Sequence, residues 1–305
     1  MVVIGECMLE LTREGDRWRL GSAGDTFNTA VYLSRLGVSV AYLTALGADS
    51  FSREMRAEWQ ADGVDTSLVL TAASRLPGLY AIRNDAGGER HFYYWRERSA
   101  ARELFRLPGI EAAILRASEA RQLYLSGITL SLFGTADREK LNGIATAVRA
   151  AHGQVVFDPN YRPGGWSSAA RARAAIRALA PAVSIALPTF ADEAALFGDA
   201  TPAHTVRRWR DWGAELVVVK LGAAGCLVGM SGATQAVPAV PVSRVLDTTG
   251  AGDAFNAGFL AARHAGRDPV QAAGVANHLA SLVIQTQGAI LPRERNAAVR
   301  AVLQV

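Results

Sequence analysis

The chain has 305 residues, 50% of them hydrophobic and 20% charged, which is enough apolar material for one large α/β domain or two ordinary ones. No stretch approaches the roughly 18 uninterrupted apolar residues of a membrane span, and nothing at the start resembles a basic-then-apolar secretion signal, so a cytoplasmic protein is expected. A formal charge of +4 spread over arginines scattered among alanines, with only Lys140 and Lys220 as lysines, lacks the clustering that nucleic-acid binding requires.

The elements then alternate. Residues 2–8 read as a buried first strand, and 9–20, turning at Gly15-Asp16, as a hairpin. Residues 26–36 read as a helix stopped by Gly37, and 38–46 as the next strand. Phe51, Met55 and Trp59 recur at the four-residue spacing of a buried helical face. Residues 76–96 break the rhythm: aliphatic and aromatic runs flank Asn84-Asp85-Ala86-Gly87-Gly88, the pattern of a second hairpin. Helix–strand pairs follow at 140–151 with 154–158, 169–179 with 184–187, and 205–212 with 215–220. Two long helical patterns, 250–266 and 269–285, precede a short C-terminal helix. Such alternation predicts an α/β fold: a mostly parallel sheet with helices on both faces, plus a small antiparallel β flap. No linker separates the flap, so one domain over 1–305 is expected, with lid insertions at about 9–20 and 76–96. Cys7 and Cys226 sit in apolar strand-like contexts and fit buried thiols better than a disulfide. The five histidines show no metal-ligand spacing.

The stretch Asp247-Thr248-Thr249-Gly250-Ala251-Gly252-Asp253-Ala254-Phe255 carries the chemistry. Bare backbone at the start of an apolar helix presents unpaired N–H groups and about half a unit of positive dipole charge. That favours a phosphate or a developing negative charge. A carboxylate in the same turn, Asp253, suits a base that takes a proton from a hydroxyl while the amides hold a phosphoryl group. A helix cap is the plain alternative. A Walker A loop is excluded, because neither lysine follows a glycine; a dinucleotide fingerprint fails, because Phe255 stands where its last glycine belongs.

Together with Gly24-Asp25-Thr26-Phe27-Asn28, this run resembles the two signatures of the ribokinase-type (PfkB) carbohydrate kinases, and the resemblance covers the whole chain. Further stretches, Gly5-Glu6-Cys7-Met8, Leu76-Pro77-Gly78-Leu79-Tyr80, Glu89-Arg90-His91-Phe92-Tyr93-Tyr94-Trp95-Arg96, Leu125-Ser126-Gly127-Ile128 and Asp158-Pro159-Asn160-Tyr161-Arg162-Pro163, are similar to members acting on 2-keto-3-deoxygluconate. The resemblance implies a ribokinase-like doubly wound fold and ATP-dependent phosphorylation of that sugar acid at its terminal hydroxyl, with Mg2+.

By resemblance, Asp253 is the base, with Gly250, Ala251 and Gly252 as the anion hole. Gly24, Asp25, Asn28, Tyr80, Tyr94, Arg96 and Arg162 surround the sugar acid, the arginine forks matching its carboxylate. Tyr94 is chosen over Tyr93 because it shares a strand face with Arg96. Lys220, Gly222 and Gly225 lie over the nucleotide, and Asn277 lies beside its base. Relatives carry Asn-x-x-Glu where this chain reads Thr189-Phe190-Ala191-Asp192-Glu193, which leaves Asp192 or Glu193 to organise Mg2+ and the metal ligands unassigned. Ala23 replaces the first glycine of a pair. Open flap strands predict a homo-oligomer. A neutral-sugar kinase, a non-catalytic sugar-acid sensor and a nicotinamide oxidoreductase are the competing readings.

Overall fold

The computed structural model describes residues 1–84, 90–230 and 232–304; the expected turn at 84–88 falls largely outside them. Its strands are β1 (Val2–Ile4), β2 (Met8–Glu14), β3 (Arg17–Ala23), β4 (Ala41–Leu46), β5 (Val69–Thr71), β6 (Leu79–Asn84), β7 (Arg90–Trp95), β8 (Gln122–Ser126), β9 (Gln154–Asp158), β10 (Ile185–Ala186), β11 (Leu216–Lys220), β12 (Cys226–Met230) and β13 (Ala233–Val237). Its helices are α1 (Asp25–Arg35), α2 (Ser50–Ala61), α3 (Ile110–Ser118), α4 (Gly127–Leu132), α5 (Thr135–Ala150), α6 (Ala169–Leu179), α7 (Phe190–Phe197), α8 (Pro202–Asp211), α9 (Ala251–His264), α10 (Pro269–Val283) and α11 (Asn296–Ala301).

Nine strands form the main sheet in the order β13-β12-β11-β10-β9-β8-β1-β4-β5. From β11 to β5 neighbours run parallel, and β12 and β13 add an antiparallel edge. Strand side chains alternate between two cores, as the pleat requires. Val3, Tyr42, Val156 and Val218 enter the core under α1, α2, α9 and α10, whereas Ile4, Leu43, Val155 and Val217 enter the other. The chain leaves β1 towards β4 on one side and returns at β8 on the other, which opens a crevice at the carboxyl ends of these strands, where α/β sheets bind ligands.

Two antiparallel hairpins, β2–β3 and β6–β7, meet along a parallel β2–β6 pairing and form a separate four-stranded sheet, the lid. Gly15, at φ 60°, makes the expected first turn. One expectation fails in α2. Met55 and Trp59 are buried, but Phe51 is 44% exposed. The helix starts only at Ser50, capped by Asp49, and its buried stripe runs through Ser52, Met55 and Trp59. The expected first strand also ends early, because the chain leaves the main sheet after Ile4 and joins the lid at Met8. Among the described residues no helix is long and apolar enough to cross a membrane.

Candidate functional site

The start of α9 faces the crevice. Gly250 holds φ 74°, and a Cβ there would lie 2.6 Å from the carbonyl oxygen of Ala289, so the turn admits only glycine. The Ala251 N–H bonds the Thr248 carbonyl at 3.3 Å, and the Asp247 carboxylate takes the Thr249 N–H at 2.9 Å and the Gly288 N–H at 2.9 Å, which fixes the loop ahead of the helix. In the first turn, Asp253 Oδ2 accepts from Asn28 Nδ2 at 2.8 Å. Its Oδ1 takes no hydrogen bond from the described residues. Burial, together with the Asp25 and Asp158 carboxylates, pushes the Asp253 carboxyl up to about 8, against the opposing pull of Asn28 and Lys220.

Helix α1 brings Gly24, Asp25 and Asn28 to the same place. A Cβ on Gly24 would sit 2.2 Å from the Glu6 carbonyl oxygen, so β3 can pass this close to the end of β1 only as glycine. The Asn28 amide is engaged on both sides, by Asp253 and, at 3.4 Å, by the Gly24 N–H. It therefore orients the carboxylate, a role the sequence did not suggest. Asp25 accepts from Asn160 Nδ2 at 2.9 Å, and burial raises its pKa. Asn160 holds φ 33°, unusual for a residue with a side chain, and its N–H bonds Asp158 Oδ1 at 3.1 Å.

Below lies a buried polar floor. Lys220 Nζ donates to Asp158 Oδ2 at 2.7 Å and Asn256 Oδ1 at 3.1 Å; Asn256 Nδ2 donates to Asp158 Oδ2 at 2.7 Å and to the Tyr124 hydroxyl at 2.9 Å. A Cβ placed on Gly252 would lie 3.7 Å from Lys220 Nζ, so the ammonium sits directly under the helix start. Asp158, Asn256 and Tyr124 were missed from sequence as members of this cluster. The signals available for Asp158 were its place at the carboxyl end of a strand and its position at the head of the Asp158–Pro163 stretch.

The lid supplies the opposite wall. Tyr80 and Tyr94 face each other across β6 and β7 with ring centroids 5.8 Å apart, and the Arg96 guanidinium lies 6.0 Å from the Tyr94 ring. Arg162, beyond β9, is close enough that both it and Arg96 lower the Tyr94 phenol against the upward push of burial. Arg96 therefore lies beside Tyr94, with the Arg162 charge within reach of the same phenol. The Tyr80 hydroxyl donates to Glu10, and Arg96 pairs with Glu6, buried at the end of β1. Arg162 pairs with Asp192 Oδ2 at 3.1 Å while its side chain stays 57% exposed. Beneath the lid, a cavity of about 940 Å³ runs past Glu10, Phe27, Thr249 and Gly288.

On the far side, residues 222–224 form a single turn after β11, ending at Gly225. Asn277, on α10, donates to the Pro238 carbonyl at 2.9 Å and so secures the exit of β13 beside that turn. Glu193 is withdrawn. It is fully buried, accepts from Arg208 Nη2 at 2.5 Å and Trp209 Nε1 at 3.0 Å, and burial pushes its carboxyl up to about 7. Asp192 is the carboxylate left near the crevice, within the field of Lys220 and Asp158. Among the described residues no cluster of three or more ligating side chains exists. One or two carboxylates nevertheless suit Mg2+, which keeps most of its waters, so Asp192 fits that ion.

Known proteins resemble this chain in sequence and in fold. The model of the pfkB family carbohydrate kinases matches residues 1–296. A 2-dehydro-3-deoxygluconokinase of Dickeya dadantii is 43% identical over 301 residues, covering 96% of this chain and 97% of the relative. A PfkB protein crystal structure from Polaromonas sp. JS666 superposes with a TM-score of 0.84 at 29% identity, covering 97% of this chain and 98% of that one. A putative Ribokinase II of E. coli, solved in complex with ATP and Mg2+, superposes with a TM-score of 0.85 at 23% identity, covering 99% and 98%, which speaks to the fold.

Proposed function

The chain belongs to the pfkB family of carbohydrate kinases, and from that premise we propose that it phosphorylates the terminal C6 hydroxyl of 2-keto-3-deoxygluconate with ATP, giving the 6-phosphate and ADP. One observation carries the reading: a buried carboxylate with one oxygen tied to Asn28 and the other unclaimed, in the first turn of a helix that opens on bare glycine backbone. Asp253 Oδ1 takes the hydroxyl proton as the alcohol oxygen bonds to the γ-phosphorus and the bond to the ADP oxygen breaks. Amides of Gly250, Ala251 and Gly252 hold charge on the transferred group, the Ala251 N–H giving up its long 3.3 Å bond to the Thr248 carbonyl, and Lys220 adds positive charge from below. When bound, Mg2+ neutralises the ATP phosphates; Asp192 would hold it. Gly24, Asp25 and Asn28 line the sugar's hydroxyl side, and Tyr80, Tyr94, Arg96 and Arg162 its carboxylate side. Gly222, Gly225 and Asn277 border the nucleotide. The lid, at about 9–20 and 76–96, closes over one cytoplasmic domain, and its open edges pair two copies of the chain.

The second reading, a kinase of a neutral ketose, draws on the carboxylate partner that each arginine already has, Glu6 and Asp192. A coupled ATP-to-ADP assay across 2-keto-3-deoxygluconate, its galactonate epimer, fructose and ribose separates the two. The sugar acids should be turned over with kcat/KM at least about 10²-fold above the neutral sugars, the scale of one or two charged hydrogen bonds. Equal use of fructose would refute the carboxylate assignment.

A further inference from the structure

The Arg96 ion pair joins the two sheets: Glu6 follows β1 of the main sheet, and Arg96 follows β7 of the lid. Glu6 is 3% exposed, under Gly78, where an added Cβ would come within 3.1 Å of its Oε1. Only one edge of each group is used. Arg96 Nη2 donates to Glu6 Oε2, while Glu6 Oε1 and Arg96 Nε are both buried without a partner among the described residues. The Arg96 main chain is fixed separately, by Arg102 Nε donating to the Arg96 carbonyl at 3.0 Å. Buried donors and acceptors are rarely left unmade, and an orphan donor and an orphan acceptor within one ion pair are complementary. An Arg–carboxylate fork closes bidentately, and closure here would satisfy both atoms at once.

We infer that Glu6 is a positioning residue: it holds the Arg96 fork by one edge so that the other edge is presented, at fixed angle, to the carboxylate of the sugar acid. The inference rests on the proposed role of Arg96. Glu6 touches no substrate itself. It sets the orientation of the lid's charged end relative to the main sheet, and with it the preference for an acid over a neutral sugar. A purely structural pair would act on folding and on both substrates alike.

A double-mutant cycle on KM for 2-keto-3-deoxygluconate tests this, with Glu6→Gln, Arg96→Met and the pair, reading KM for ATP and the melting temperature alongside. Glu6→Gln should raise the sugar-acid KM by about 5-fold or more while the ATP KM moves by less than about 2-fold, and it should add nothing in the Arg96→Met background. An unchanged sugar-acid KM, a parallel rise for ATP, or additive losses in the double variant would each overturn the inference. If Arg96→Met alone leaves the sugar-acid KM unchanged, it is the carboxylate role of Arg96 that fails. Glu6→Asp, which keeps the charge one methylene short, is run through the same cycle and judged by the same criteria, so that a poorly folding Glu6→Gln leaves the question answerable.

Discussion

The floor of the crevice and its lid are built on opposite principles. Asp253, Asn28, Asp158, Lys220 and Asn256 are each at most 9% exposed and fall into two hydrogen-bonded groups, Asn28 with Asp253 and Lys220 with Asp158 and Asn256. In the lid and its rim, Tyr94 is 48% exposed and the Arg162 side chain 57%. Groups that take part in bond making gain from being held in a dry network that leaves only the reacting atom open, because little reorganisation is then needed during reaction. Of the groups assigned to substrate selection, Tyr94 and Arg162 retain solvent at the outer rim, whereas Tyr80 and the Arg96–Glu6 pair lie deeper.

That contrast orders the expected effects. Asp253→Asn attacks the floor at its centre and should lower kcat by about 10²–10⁴-fold, with ATP and sugar-acid dissociation constants, read by calorimetry, within a few-fold of wild type. Near-normal turnover would remove the base from the account. Gly250→Ala forces a side chain into φ 74° and towards the Ala289 carbonyl, so kcat should fall by about 10-fold or more together with the melting temperature. Arg162→Ala attacks the rim: the sugar-acid KM should rise by roughly 10-fold, the lower end for a charged hydrogen bond, and the ATP KM much less. Equal losses would place Arg162 elsewhere.

The smallest effect is thermodynamic. A folded-state pKa raised to about 8 means the native protein retains a proton that the unfolded chain releases near 3.8. Stability contributed by this group therefore falls as pH rises between those values and levels off above about 8. Asp253→Asn, which stays neutral, should melt at a higher temperature than wild type, by a margin that widens from pH 5 to pH 8. A constant margin would mean that burial does not perturb this carboxyl.

Local pattern made much of the fold legible. Strand β9 and helix α6 have the bounds their periodicity indicates, and the turn at Gly15-Asp16 separates β2 from β3. The resemblance to sugar kinases, carried by two glycine-rich runs, brought Asp253, Gly24 and Asn28 together although 225 positions separate Asn28 from Asp253. The polar floor was not legible. Asp158 meets Lys220 and Asn256 across 62 and 98 positions, and no spacing along the chain encodes which buried carboxylate answers which ammonium. Glu193 likewise looked available for metal binding until burial against Arg208 and Trp209 withdrew it.

The pH dependence of kcat/KM for the sugar acid tests most directly whether a deprotonated Asp253 does the chemistry, because that ratio reports ionisations of the enzyme before substrate binds. The rate should climb with pH along a limb of apparent pKa near 8, and in Asp25→Asn, which deletes the neighbouring negative charge, that limb should move to lower pH. A rate that is flat from pH 6 to pH 9, or a limb that stays in place when Asp25 is neutralised, would contradict the account.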